Sequence, residues 1–163
     1  MITAELKLER FALARLHLDC VEGEIKAGSD IGFQLAVESA IAGHEKDDHR
    51  FRIRLHVKSS PDKAGVAGYR IDAIIHGYFA GSGPVETNVG PYLRDGSALL
   101  YGALRGHIAM ATGAGEYGPF HLPTILTSDF LKEMKTRPVR SRSKKTARQT
   151  TETRKAPRKS PRK

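Results

Sequence analysis

The sequence has little cysteine, no tryptophan and no long apolar run, and each shortage excludes something. A single cysteine, Cys20, rules out an intrachain disulfide framework and a cysteine-rich zinc module. No stretch approaches the roughly 18 consecutive apolar residues of a membrane-spanning helix. The first residues also lack a basic-then-apolar signal pattern. The chain therefore reads as a soluble protein of a reducing compartment, the cytoplasm. Familiar catalytic motifs are missing too. Gly81-Ser82-Gly83-Pro84 is not followed by the Gly-Lys-Ser/Thr of a phosphate-binding loop. There is no His-Glu-x-x-His, no Gly-x-Ser-x-Gly and no Gly-x-Gly-x-x-Gly opening a helix after a strand. Cys20 lies among apolar residues and reads as a small core residue rather than a nucleophile. His44, Glu45, Asp47, Asp48 and His49 have donor chemistry for a metal, but a solvated polar turn explains them equally well. The expectation is a protein that is not an enzyme and that carries no cofactor or metal.

What is present begins with charge. The 163 residues carry a net charge of +9, very unevenly spread. Residues 135–163 hold 13 Lys and Arg against one acid, Glu152, a net of +12. Residues 1–134 hold 14 bases and 17 acids, a net of −3. Beyond Met134 the only large aliphatic residue is Val139. Such a segment cannot bury enough apolar surface to offset about 1–2 kcal/mol of backbone ordering per residue. A folded domain over residues 1–134 and a disordered Lys/Arg-rich tail over 135–163 are expected.

Within the domain, alternation marks three strands. Arg50–Lys58 places Phe51, Ile53, Leu55 and Val57 on one face and Arg52, Arg54 and His56 on the other. Ile31–Ile41 repeats the pattern with Phe33, Leu35, Val37 and Ile41. Tyr69–Phe79 does so with Tyr69, Ile71, Ala73, Ile75 and Phe79. The turns Gly43–Asp48 and Ser59–Gly68 between them are short, favouring antiparallel neighbours in a meander. Leu6–Leu18 is ambiguous: its composition suits a helix, whereas Phe11, Leu13, Leu16, Leu18 and Cys20 fit alternation broken by a bulge near Arg15.

Ser97–Thr112 reads as a helix, with Leu100, Leu104, Ile108 and Ala111 on one stripe, Leu99, Ala103 and Met110 widening it, and Gly113 and Gly115 as stop signals. Gly102 and Gly106 inside it imply close packing against another backbone, since each costs about 1 kcal/mol relative to Ala. A short second helix from Ser128 carries Phe130, Leu131 and Met134, and Pro119–Pro123 between the helices should be extended. The fold class is α+β: four antiparallel strands, then a long and a short helix on one side. The sheet's second face and the helix stripe both need cover, which self-association would supply.

Three stretches in this order resemble the SecB-like export chaperone family. Phe11–Glu24 is similar to that family's opening strand, with its Phe-x-Ile-x-Arg-Ile pattern. Tyr69–Gly81, with its Gly77-Tyr78-Phe79 step, resembles the last long strand. Leu99–Ile108, followed by Gly118–Thr124, resembles the helix with an aliphatic-x-Tyr/Phe-x-x-x-Arg-x-x-Ile core and the extended segment ending Leu-x-Pro. The resemblance implies that the first segment is a strand and that the subunits assemble as a dimer of dimers. It also implies an ATP-independent holdase that keeps unfolded polypeptides in apolar grooves for export, or that guards a specific client such as an antitoxin. A phage-borne role stays open.

The residues proposed to line such a groove are Tyr78, Val85, Val89, Tyr92, Leu93, Phe120 and Leu122, with ordinary core or subunit-interface packing as the competing reading. Docking of the SecA motor, which uses acidic surface and a C-terminal segment in that family, is doubtful for a chain ending in cations. The two Pro-Arg-Lys units of Ala156–Lys163 look like the Ser-Pro-basic-basic repeats of linker-histone tails. Arg154, Lys155, Arg158, Lys159, Arg162 and Lys163 are therefore candidate contacts to nucleic acid or another polyanion. A nucleic-acid-associated oligomer is the alternative function, and an enzyme with a small, inconspicuous site is a third.

Overall fold

A computed structural model describes residues 6–23, 32–62 and 66–125. The helix expected from Ser128, the domain boundary at residue 134 and the basic segment 135–163, including Arg154, Lys155, Arg158, Lys159, Arg162 and Lys163, lie outside the described residues. Four strands, β1 (Leu6–Val21), β2 (Phe33–Gly43), β3 (Arg50–Pro61) and β4 (Gly68–Gly81), precede one long helix, α1 (Val85–Thr112). The strands form one antiparallel sheet in the order β1-β4-β3-β2. β2, β3 and β4 make the expected meander, whereas β1 crosses to the far edge and pairs with β4 rather than β2.

The first segment is a strand. Its register with β4 slips between Leu8 and Arg10 and again between Leu13 and Arg15, so the extra residue expected near Arg15 is present as an irregularity beside Ala14. The slips keep Leu6, Leu8, Leu16 and Leu18 on the inner face, where they pack against the core.

The core lies between the inner face of the sheet and α1. Phe51, Ile53, Leu55 and Val57 of β3 and Tyr69, Ile71, Ala73, Ile75 and Phe79 of β4 are all buried, as alternation requires. Leu100, Leu104 and Ile108 of α1 close over them. The outer part of the expected stripe does not join them: Leu99 is 49% and Met110 72% exposed, and Thr112 rather than Ala111 is buried.

The helix is three turns longer at its start than the sequence suggests, because Gly90, Pro91 and Gly96 read as a link. The backbone breaks at Asn88 (φ −121°, ψ 18°), so Pro91 falls in the first turn of the main segment. There its missing N–H costs nothing. Gly96 is buried against the sheet, and a Cβ there would collide with Ile53 Cδ1. Gly77 of β4 is equally tight, since a Cβ would sit 2.7 Å from Leu100 Cδ2. These two glycines, not Gly102 and Gly106, allow the helix to lie close on the sheet. Nothing comes within 4 Å of a Cβ built at Gly102 or Gly106. Cys20 departs from expectation as well: it is exposed near the end of the edge strand β1.

Candidate functional site

At the end of the sheet where β2 and β4 begin and β3 ends, the chain leaving α1 folds back over the inner face. An apolar cleft of about 470 Å³ opens there, lined chiefly by Phe33, Tyr69, Tyr117, Pro119 and Phe120. The backbone that forms its outer wall is held by a compact set of hydrogen bonds. Thr112 Oγ1 donates to the Ile108 carbonyl at 2.8 Å and accepts the Phe120 N–H at 2.8 Å. Tyr69 Oη lies 3.1 Å from the Gly118 carbonyl and accepts the Tyr117 N–H at 3.2 Å. Gly118 takes a left-handed conformation (φ 70°), where a side chain would be strained, and so turns the chain back toward the sheet. Beyond the cleft, Leu122 is buried and Tyr101 Oη donates to the Pro123 carbonyl at 2.9 Å, anchoring the segment to α1. Burial pushes the Tyr101 hydroxyl up to about 12, in spite of the opposing charge of Arg105.

The aromatic rings meet edge to face. Phe33 and Phe120 are 5.5 Å apart between centroids, and Tyr69 lies 5.6 Å from Tyr117 and 6.2 Å from Phe120. Each such pair contributes about 0.5–1.5 kcal/mol beyond its area, so the walls are rigid while Phe33, Tyr117 and Phe120 stay only partly buried. Tyr117 Oη donates to the Val21 carbonyl at 3.3 Å, tying the cleft to the end of β1. Desolvation, then the negative groups around Glu116, hold that hydroxyl above the ordinary phenol range. Glu116 is the one charged lining residue among the described residues. The arrangement has the chemistry of a socket for a large apolar side chain. Beside it runs the outer edge of β2, which no strand among the described residues pairs with and whose Phe33–Gly43 contains no proline and one charge, Glu38. An edge with so few protecting features invites another strand.

The residues proposed from sequence do not converge on one surface. Phe120 lines the cleft. Val85, Tyr92 and Leu93 are between 1% and 5% exposed and belong to the core, because the supposed link is a helix that turns them toward the sheet. Leu122, 1% exposed, is buried in the core by the segment that folds back after α1. Tyr92 stacks on Phe51 at 4.9 Å, and its hydroxyl bonds to the backbone of Gly83. Val89 is partly buried against the same core. Tyr78 is on the opposite face of the sheet. Conversely, Phe33 and Tyr69 look in sequence like ordinary inward strand residues, and Tyr117 had no assigned role. The available signal was the clustering of aromatics with glycine and proline in Gly115–Phe120. The acidic turn after β2 is a hydrogen-bonded loop, in which Asp47 Oδ1 accepts the His49 N–H at 3.0 Å. Among the described residues no group of three metal-ligating side chains converges.

No protein-family model and no curated protein matches the sequence. Several solved structures are similar. One is a Mycobacterium tuberculosis SecB-like chaperone in complex with a ChAD peptide from the HigA1 antitoxin. It superposes with a TM-score of 0.60 at 17% identity, over 74% of this chain and 90% of that one. Another is a protein of unknown function from Streptococcus agalactiae, with a TM-score of 0.44 at 13% identity, over 76% of this chain and 100% of that one. From the β1-β4-β3-β2 sheet, the long helix that covers it and the first of these likenesses, the chain has the fold of a SecB-like chaperone.

Proposed function

We propose that this protein is an ATP-independent chaperone of the SecB-like family that holds unfolded polypeptides, and that the cleft of Phe33, Tyr69, Tyr117 and Phe120 is where a client's apolar side chain enters. The observation that carries the reading is this partly open aromatic cleft on a fold shared with a peptide-binding chaperone. Burial of one large apolar side chain is worth about 1.5–3 kcal/mol. The outer edge of β2 adds backbone hydrogen bonds to the same extended segment. Several weak contacts of this kind hold a client without a nucleotide-driven step. The client class is unfolded protein of the cytoplasm. A dedicated client such as an antitoxin is favoured over export, because the similar chaperone carries an antitoxin peptide. SecA docking does not suit this chain, since its C-terminal residues 135–163 carry a net charge of +12.

Assembly is part of the proposal. Phe11, Leu13, Leu99 and Met110 are large apolar side chains between 36% and 72% exposed. On the outer face of α1, Leu99 and Met110 flank Gly102 and Gly106, where no described residue comes within 4 Å of an added Cβ. A second copy of the chain is the occupant that suits this uncharged face, giving a homo-oligomer, with a dimer of dimers expected. The test is suppression of aggregation of a chemically unfolded client without ATP, together with mass measurement in solution. Wild type should suppress aggregation as an oligomer. Phe120→Ala and Tyr117→Ala should bind clients about ten-fold more weakly while keeping the assembly. Equal activity in these variants would remove the cleft from the proposal, and a monomer with no holding activity would remove the function.

A further inference from the structure

The face of the sheet turned away from α1 is basic, although residues 1–134 as a whole carry a net charge of −3. Alternation places Arg52, Arg54 and Lys58 of β3, Arg70 of β4 and Arg10 of β1 on it. None of these five makes an ion pair among the described residues, whereas Arg15 pairs with Asp72 and Arg50 with Glu9. The registers Arg10↔Tyr78 and Tyr78↔Arg52 form one row across three strands, with the Arg10 guanidinium 4.2 Å from the centre of the Tyr78 ring. The next row sets His76 beside Arg54. His76 is held below its ordinary value by burial and then by the charges of Arg52 and Arg54. The acids on this face, Asp19 opposite Arg70, Asp72 opposite Lys58 and Glu38 opposite His56, lie away from the Arg10, Tyr78, Arg52 row. On the β2 side the face carries exposed Ala36, Ala40 and Ala42, with the exposed carboxylate of Glu38 standing between Ala36 and Ala40 beside His56. Where the turn after β2 rises beside this face, a cleft of about 640 Å³ adds Lys46 and Arg50 to Arg10, Arg52 and Tyr78, together with the carboxylates of Glu45 and of Glu9, the latter paired with Arg50.

The face excludes two occupants from the protein itself. Residues 135–163, at +12, are repelled by it, and a second copy laid face to face would oppose like charges. The occupant is a foreign polyanion. Charge alone would suit an acidic polypeptide, but an aromatic ring sandwiched in a row of arginines suits flat bases. Cations two residues apart on a strand are about 6.8 Å apart, a spacing suited to an extended run of phosphates. We propose that this open sheet face binds single-stranded nucleic acid, with phosphates on Arg52, Arg54 and the Lys46 cleft and a base stacked at Tyr78 and Arg10. The site is separate from the apolar cleft on the other side of the sheet and does not depend on the holdase reading.

The experiment measures binding of the full chain to a fluorescent oligouridylate of about 12 nucleotides by anisotropy across a salt series. Arg52→Glu/Arg54→Glu and the milder Arg52→Gln/Arg54→Gln are compared with wild type, with melting curves to verify folding. The Gln pair should weaken binding about ten-fold and lower the salt slope by about 1.4, the loss expected for two phosphate contacts. Tyr78→Ala should weaken oligouridylate binding about five-fold or more and leave poly-glutamate binding unchanged. Wild-type affinity and slope in the folded charge variants would assign all binding to the basic tail and overturn the proposal. Loss of poly-glutamate binding in the charge variants, with no effect of Tyr78→Ala on oligouridylate, would make an acidic polypeptide the occupant and overturn it equally.

Discussion

Gly96→Ala tests how closely α1 is seated on the sheet. The added Cβ would collide with Ile53 Cδ1 and lie 3.3 Å from the Phe79 ring. Ile53 and Phe79 are 0% and 1% exposed, so neither can retreat into solvent. Overpacking of this kind costs about 1–3 kcal/mol, and the gain in helix propensity returns about 1 kcal/mol. The net loss should be about 0–2 kcal/mol, lowering the melting temperature by up to roughly 8 °C. Ile53→Val removes the colliding methyl and by itself costs about 0.5–1.5 kcal/mol. In the double variant the alanine has room, so the two losses should fall short of their sum by about 1 kcal/mol. Urea melts followed by far-ultraviolet circular dichroism at one fixed protein concentration measure all four corners of the cycle. Additive losses, or a Gly96→Ala protein more stable than wild type, would refute the close seating and with it the placement of the segment that follows α1.

Three further outcomes follow from the same structure. Asp72 accepts from His56 at 2.8 Å and from Arg15 at 2.7 Å. Burial pushes its carboxyl up, but those two partners together hold it below the ordinary value of 3.8. A lowered folded value means the contribution is complete above 3.8 and is lost as the pH falls through the lower folded value; acid melts should show this loss, and Asp72→Asn should lack it. Tyr101, raised to about 12, should ionise well above the ordinary tyrosine value of 10, and Tyr101→Phe should remove that late step from a spectrophotometric titration. Tyr101→Phe should cost about 1 kcal/mol through the lost bond to Pro123, with faster hydrogen exchange along 118–125. Ser97 has a buried hydroxyl with no hydrogen-bond partner among the described residues. Ser97→Ala should therefore leave stability unchanged or raise it by about 1 kcal/mol, read from the same urea melts.

Periodicity by itself determined which residues of β2, β3 and β4 face the core, because a strand with one buried face must alternate at every second residue. Phe51, Ile53, Leu55 and Val57 show this directly. It also located Leu100, Leu104 and Ile108, since a helix repeats its buried face at every third or fourth position. Composition could not choose between helix and strand for Leu6–Leu18, because Leu, Ala, Glu and Arg favour the helix until a neighbouring strand supplies hydrogen bonds. The pairing of β1 with β4 decided it. Nor could local rules extend α1 back to Val85, since Pro91 is tolerated only because the break at Asn88 puts it in a first turn.

Tertiary structure alone decided where the two candidate surfaces are. Phe33, Tyr69, Tyr117 and Phe120 are distant in sequence and meet only because the chain folds back after Gly118. Arg10, Arg52 and Tyr78 share a row only because β1 lies beside β4 and β4 beside β3. Alternation specifies the face of each strand, but which strands are neighbours, and in what register, is set by contacts between residues far apart in the chain.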